Sequence, residues 1–228
     1  MQGQNKFEAL KTQIIGCRKC PRLVKWREQV AREKTRRFSD WDYWGKPVPG
    51  FGDIKGKLWI VGLAPAGHGA NRTGRMFTGD RSGDFLYRSL YKVGFANQPY
   101  SAGRDDGLSL NNCFISALVR CAPPANQPTK DEFLNCQQYL EIEFHLLKNK
   151  HVILCLGQLS FLHVLKLLET IGYDNLKPQP KFHHRLELGL DENLRLMASY
   201  HPSQQNTFTG KLTEEMFDEV FQKVRRVL

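Results

Sequence analysis

Four of the six cysteines in this 228-residue chain stand where sulfur could bind a metal. Cys17 and Cys20 form a C-x-x-C pair closed by Pro21, and Cys121 and Cys136 form a second pair with fourteen residues between them. Four thiolates can hold zinc or a 4Fe-4S cluster, and the spacing does not choose. Thioredoxin-type exchange fits less well, because its C-x-x-C follows a strand and none precedes Cys17. Cys113 and Cys155 lie inside apolar runs and read as small buried hydrophobes.

A second candidate is GLAPAGHGANRTGRMFTGD, residues 62–80, which leaves an apolar run. It is glycine-rich without being a phosphate loop. A Walker loop needs Lys and then Ser or Thr where this one has His68 and Gly69, and after Gly67 and Gly69 the dinucleotide fingerprint fails at Arg72. The polar residues His68, Asn71, Arg72, Thr73, Arg75, Thr78 and Asp80, with the single ring of Phe77, suit a nucleobase stacked on that ring. The plainer alternative is a rigid loop. A third candidate is YHPSQQN, residues 200–206, where His201 leaves a strand and Pro202 holds it off helical backbone. A helix-capping histidine is the alternative there.

These loops need a scaffold, and the apolar pattern supplies one. The runs at 57–64, 113–120 and 151–157 read as buried strands, with further strands at 185–188 and 194–200. Helices are expected at 7–15, 23–32, 83–93, 160–168 and 213–227, and Thr129 with Glu132 forms a capping box ahead of another. Alternating strands and helices predict an α/β protein, a doubly wound sandwich with a mostly parallel central sheet. Ligands of such sheets bind beyond the carboxyl ends of the strands. The loops leaving Leu63, Arg120, Gly157 and Tyr200 are therefore the ones that matter. Residues 38–53, FSDWDYWGKPVPGFGD, carry Gly and Pro at loop density, yet their aromatic content predicts that they pack down.

Length predicts one compact domain, or at most one domain with an accessory layer, and 41% hydrophobic with 25% charged residues excludes a disordered, collagenous or coiled-coil chain. No apolar run reaches the roughly 18 residues of a membrane span, and the N-terminus lacks a signal-peptide pattern. A cytoplasmic protein with no membrane partner is expected. The net charge is +10, and residues 18–37 hold nine Lys or Arg against two acids. A solvated helix face would explain a charge run, but this density points to a polyanion, with Lys25 and Arg27 among the residues expected to face nucleic acid.

GLAPAGHGANRTGRMFTGDRSGDFL, RCAPPANQPT and SYHPSQQNTFTGKLT together resemble the family 5 uracil-DNA glycosylases, and CRKCPRLVKWRE and YWGKPVPGFGD extend the match over nearly the whole chain. The resemblance implies a three-layer α/β/α sandwich and one domain over residues 1–228. It also implies a structural 4Fe-4S cluster on Cys17, Cys20, Cys121 and Cys136, tying residues 1–55 to the core. The activity implied is release of uracil, and of hypoxanthine and xanthine, from DNA by a monomeric, nucleoid-associated base-excision repair enzyme. Two positions depart from other branches of the superfamily. Leu63 and Ala64 stand where those branches carry water-polarising side chains, and Ala117 stands where an asparagine reads uracil, which should relax base selection.

On that footing Asp80 is the candidate to face the developing sugar cation or orient water. His201 is the candidate to donate to the base oxyanion, and the resemblance adds Asn126 to the catalytic group. Phe77 would stack on the flipped base, and Gly62, Ala64, Gly67, His68, Gly69 and Asn71 would complete the base site. Asn71 and Arg72 could equally hold DNA phosphate. Residues 203–206 are expected at the minor groove, Asn206 foremost. The competing reading is a non-catalytic iron-sulfur or zinc module that binds nucleic acid. A zinc nucleobase deaminase is set aside because its H-x-E and P-C-x-x-C signature is absent.

Overall fold

A computed structural model describes residues 2–173, 176 and 178–228. The elements, in chain order, are α1 (Gln2–Ile15), α2 (Pro21–Glu33), β1 (Phe51–Gly52), β2 (Leu58–Gly62), α3 (Ala70–Thr73), α4 (Arg81–Lys92), β3 (Cys113–Ala117), α5 (Lys130–Leu146), β4 (Val152–Leu156), α6 (Gln158–Thr170), β5 (Leu186–Gly189), β6 (Arg195–Ser199), α7 (Gln204–Phe208) and α8 (Glu214–Val227). Short 3-10 turns lie at Arg36–Phe38 and Pro124–Asn126.

The apolar runs pair as a sheet of order β1-β3-β2-β4-β6-β5. Its four central strands are parallel, and the edges β1 and β5 are antiparallel. Alternation along each strand feeds two cores. Trp59 and Val61 of β2 face the layer of α1, α5 and α6, while Leu58 and Ile60 face that of α4 and α8. This is the expected α/β sandwich with a mostly parallel sheet. Phe7, Leu10 and Ile14 of α1 enter the first core, where each fully buried side chain of this kind contributes about 1.5–3 kcal/mol. Phe7 meets Phe114 edge-on, with ring centroids 5.3 Å apart.

The helix starts follow their caps. Asp80 accepts from the Gly83 amide at the head of α4, Thr213 does the same for α8, and the Thr129–Glu132 capping box opens α5. Four details depart from the expected pattern. The stretch 113–120 pairs as a strand only to Ala117, after which the amides of Leu118 and Val119 donate to the Gly62 and Leu63 carbonyls. The glycine-rich loop contains α3, and residues 38–53 contain β1. Cys136, expected with the other three on a loop or helix end, lies inside α5. Among the described residues no helix is long and apolar enough to cross a membrane.

Candidate active site

The carboxyl ends of β2, β3 and β6 open on one cleft of about 650 Å³, where the topology of the sheet places a ligand. Of the residues singled out by sequence, Gly62, Ala64, Phe77, Asp80, Asn126 and His201 line it. They come from three separate loops.

Asp80 follows Gly79, whose φ of +78° turns the chain into α4. Its Oδ1 accepts from the Gly83 amide at 3.0 Å, which leaves Oδ2 to face Gly69. A Cβ on Gly69 would collide with that oxygen, so the absence of a side chain at position 69 is what lets the carboxylate sit there. Burial pushes the Asp80 carboxyl upward in pKa, and the Asp84 charge adds to the rise. The amides of Gly83 and Ser82 and the Arg72 guanidinium pull the other way.

Phe77 adopts φ +52°, a left-handed backbone uncommon outside glycine. Two contacts hold it there: the Tyr87 hydroxyl donates to the Met76 carbonyl at 2.8 Å, and bare Gly83 admits the Phe77 carbonyl. Its ring lies against Gly62, where a Cβ would come within 2.8 Å of it. The Phe77 and His201 rings stand 6.0 Å apart, inclined by 31°.

His201 is carried just past β6. Gly157, at φ +96°, gives it room, and the Asn206 side-chain amide donates to the His201 carbonyl at 2.8 Å. Burial lowers the His201 pKa to about 4, so the imidazole is neutral at physiological pH and offers one N–H. Asn126 ends the 3-10 turn of Pro124–Asn126, with Ala125 and Asn126 both at positive φ, and its side chain is exposed at the cleft.

The other candidates support the cleft from behind. Asn71 is fully buried and donates to the Arg27 carbonyl at 3.2 Å. His68 Nδ1 bonds Tyr43 Oη at 3.0 Å. Gly67 packs over Val30, and Gly69 backs Asp80. Asn206, expected at the duplex, donates its side-chain amide to the His201 carbonyl, and Ser203, Gln204 and Gln205 line the cleft. Sequence reasoning missed Met76, Arg81, Ser82 and Gln127 as lining residues. Arg81 and Ser82 were findable as the first turn of the helix that Asp80 caps. Arg81 also lies 4.4 Å from the ring centroid of exposed Phe208.

The four cysteines come from the α1–α2 turn, the segment after β3 and helix α5, and all pack on the same core. Cys20, Cys121 and Cys136 are buried, Cys17 is half-buried, and all four are free of disulfides. Burial pushes Cys121 up to about 12, with Cys136 and Cys17 adding to the rise, and burial pushes Cys136 up to about 11, with Cys20 and Cys17 adding. Asn135 donates to Cys20 Sγ at 3.5 Å, and Arg27 Nη1 donates to Cys121 Sγ at 3.0 Å. Among the described residues no three His, Cys, Asp or Glu side chains converge on a single-ion site.

Arg27 is therefore turned inward and does not face nucleic acid, a correction to the reading of the basic segment. Arg18 pairs with Glu28 at 2.6 Å, and Arg22 pairs with Glu132 at 2.9 Å and also donates to the Gln127 carbonyl. Part of the charge density is thus met inside the protein. Lys19, Lys25, Arg32, Arg36 and Arg37 are exposed.

Residues 49–225 match the family described as Uracil DNA glycosylase superfamily. The chain is 48% identical to the type-5 uracil-DNA glycosylase of Mycobacterium leprae, over 99% of this chain and 97% of that protein. It is 44% identical to the type-5 uracil-DNA glycosylase of Thermus thermophilus, over 96% and 97% respectively. With the type-4 uracil-DNA glycosylase of Saccharolobus solfataricus the identity is 28%, over 86% of this chain and 82% of that protein.

Proposed function

The chain belongs to the uracil DNA glycosylase superfamily, and on that footing we propose how its cleft breaks the bond. It is a DNA-repair glycosylase that hydrolyses the N-glycosidic bond of uracil in DNA and leaves an abasic site. The target nucleotide must first leave the stack, at a cost of a few kcal/mol that is lowest at mismatches. Phe77 would receive the extruded base on its ring. As the bond breaks, positive charge develops on the sugar and negative charge on the base. Asp80, with Oδ1 engaged in capping α4, offers Oδ2 to the sugar cation or to the attacking water. His201, neutral at its depressed pKa, donates to the base oxygen where charge gathers, as an oxyanion hole does. Asn126 would bind the base or hold the water.

The observation that carries this reading is the meeting of Asp80 and Phe77, from the glycine-rich loop, with His201, from the loop after β6, on one cleft. Its test is release of free base from oligonucleotides holding one uracil. Asp80→Ala and His201→Ala should still bind the DNA while releasing base about 100-fold or more slowly. Release at the parental rate from both variants would overturn the assignment.

The proposed substrate range extends to hypoxanthine and xanthine. Ala64, Ala66, Ala70, Ala117 and Ala125 line the cleft, and their methyl groups impose no hydrogen-bond pattern on the base edge. The proposed site of action is the cell's DNA, approached as a monomer with the exposed basic residues of α2 toward the backbone.

Cys17, Cys20, Cys121 and Cys136 would hold a 4Fe-4S cluster. The donor set fits: four buried or half-buried free thiols pack on the same core, with side-chain N–H groups aimed at two of the sulfurs. When bound, the cluster supplies cross-linking rather than chemistry, fastening the α1–α2 turn to β3 and α5. The parent should then be coloured and contain iron, and Cys136→Ser should lose both. A colourless, zinc-containing parent would overturn the assignment.

A further inference from the structure

Residues 38–41, which no step above uses, close on the glycine-rich loop through one side chain. Arg72 is 3% exposed, with its guanidinium between two rings: Cζ lies 3.9 Å from the Phe38 centroid and 4.1 Å from that of Trp41. Both distances are in the range of a strong cation–π contact. From that slot Nε donates to the His68 carbonyl at 2.8 Å and Nη2 to the Gly79 carbonyl at 2.9 Å. A Cβ on Gly79 would run into Nη2. The guanidinium therefore spans the loop from the residue before Gly69, which backs Asp80, to the residue before Asp80 itself. The Trp44 amide donates to the Arg72 carbonyl at 2.9 Å, so the aromatic segment holds this arginine by backbone as well.

The third nitrogen, Nη1, is buried without a partner among the described residues. A purely structural arginine in such a place is ordinarily matched by a carboxylate in direct contact, because a buried charge left unpaired costs several kcal/mol. Arg72 donates to carbonyls, and Asp80 is the carboxylate whose charge acts on it across the loop.

We propose that Arg72, gripped between Phe38 and Trp41, is the positioning residue for Asp80: it sets the two ends of the loop that aims the carboxylate. The inference rests on Asp80 being the catalytic carboxylate. The charged and titratable groups facing Asp80 are Asp84 on its own helix, which raises its pKa, Arg72 from α3, which lowers it, and Tyr87, a buried neutral hydroxyl bonded to the Met76 carbonyl. Removing the Arg72 charge should raise the Asp80 pKa, so the acid limb of the rate profile moves to higher pH.

The experiment measures single-turnover uracil release from a duplex with enzyme in excess, from acid to alkaline pH, beside the salt dependence of binding to a duplex holding an abasic-site analogue. Arg72→Met should slow release about 10- to 100-fold, leave binding unchanged and shift the acid limb upward. Arg72→Lys should keep the parental limb yet remain slow, because an ammonium cannot span two carbonyls in a plane. Trp41→Leu, on the exposed side of the stack, should slow release less. If Arg72→Met matches the parent in rate and limb while Asp80→Asn is inactive, the positioning role is wrong and the catalytic reading of Asp80 stands. If Asp80→Asn is as fast as the parent, both fall. Weaker binding with a flatter salt dependence and unchanged chemistry would make Arg72 a phosphate contact and overturn the proposal. Should Arg72→Met not fold, a parental rate in Arg72→Lys overturns it.

Discussion

Arg27 Nη1 donates to Cys121 Sγ at 3.0 Å, across 94 positions of sequence. The same arginine accepts from the Asn71 side chain through its backbone carbonyl at 3.2 Å. Helix α2 thus lies between the cysteine centre and the glycine-rich loop, with one residue touching both. Its basic residues divide into two populations, and the division can be measured.

Lys25 and Arg32 are exposed, whereas Arg27 is buried. Replacing both exposed residues with Gln should lower the slope of log K against log salt by about 0.9 for each DNA phosphate that is no longer neutralised. Arg27→Gln should leave the slope unchanged and cost roughly 1.5–3 kcal/mol of stability, the value of hydrogen bonds from a charged group. Salt titrations of binding and urea unfolding separate the two. A flattened slope in Arg27→Gln would place this arginine on the DNA face.

Gly69 offers a test of aim rather than charge. Alanine there meets Asp80 Oδ2, so the carboxylate must move or the loop must open. Gly69→Ala is expected to reduce single-turnover release about 100-fold, the cost of a displacement near 1 Å, with DNA binding close to that of the parent. A parental rate would mean that Asp80 can be moved without consequence.

Burial of neutral His201 couples stability to pH. Its folded pKa is about 4 against an ordinary 6.5, so between those values the unfolded chain binds a proton that the native chain does not. Stability therefore falls as pH drops from 6.5 towards 4 and levels off below, by up to roughly 3 kcal/mol for this one group. In urea unfolding, the difference between the parent and His201→Gln should shrink over that interval in the parent's disfavour. A constant difference would mean that His201 is solvated.

Much of this cleft was legible in sequence because the loops that carry Phe77, Asp80 and His201 leave apolar strands, where sheet topology puts ligands. Asp80 proves also to be the cap of α4, a role its position before a helix is suited to. What stayed hidden depends on contacts between distant segments. Nothing local distinguishes Arg27, bonded to Cys121, from Lys25 on the same helix. Asn71 and Asn206 look like base readers by type, yet each spends its amide on a backbone carbonyl. The four residues of α3 are too few to display a 3.6-residue period. Phe38 and Trp41 announced packing without naming their target, which is Arg72.

Selectivity gives the last prediction. Ala117 ends β3 directly beside Gly62 of β2 and lines the cleft with a methyl group. An asparagine there would bring one donor and one acceptor to the base edge. A base that matches both keeps them satisfied, while a base that matches neither leaves buried polar atoms unpaired. Ala117→Asn should therefore raise the ratio of kcat/KM for uracil over hypoxanthine by about 10-fold or more, chiefly by loss on hypoxanthine. The packed position predicts some loss of stability as well, so the ratio from a competition between two labelled duplexes is the quantity to read, because it is independent of the fraction of active enzyme. An unchanged ratio would show that residue 117 does not meet the base, and would move discrimination to Asn126 and the backbone of the glycine-rich loop.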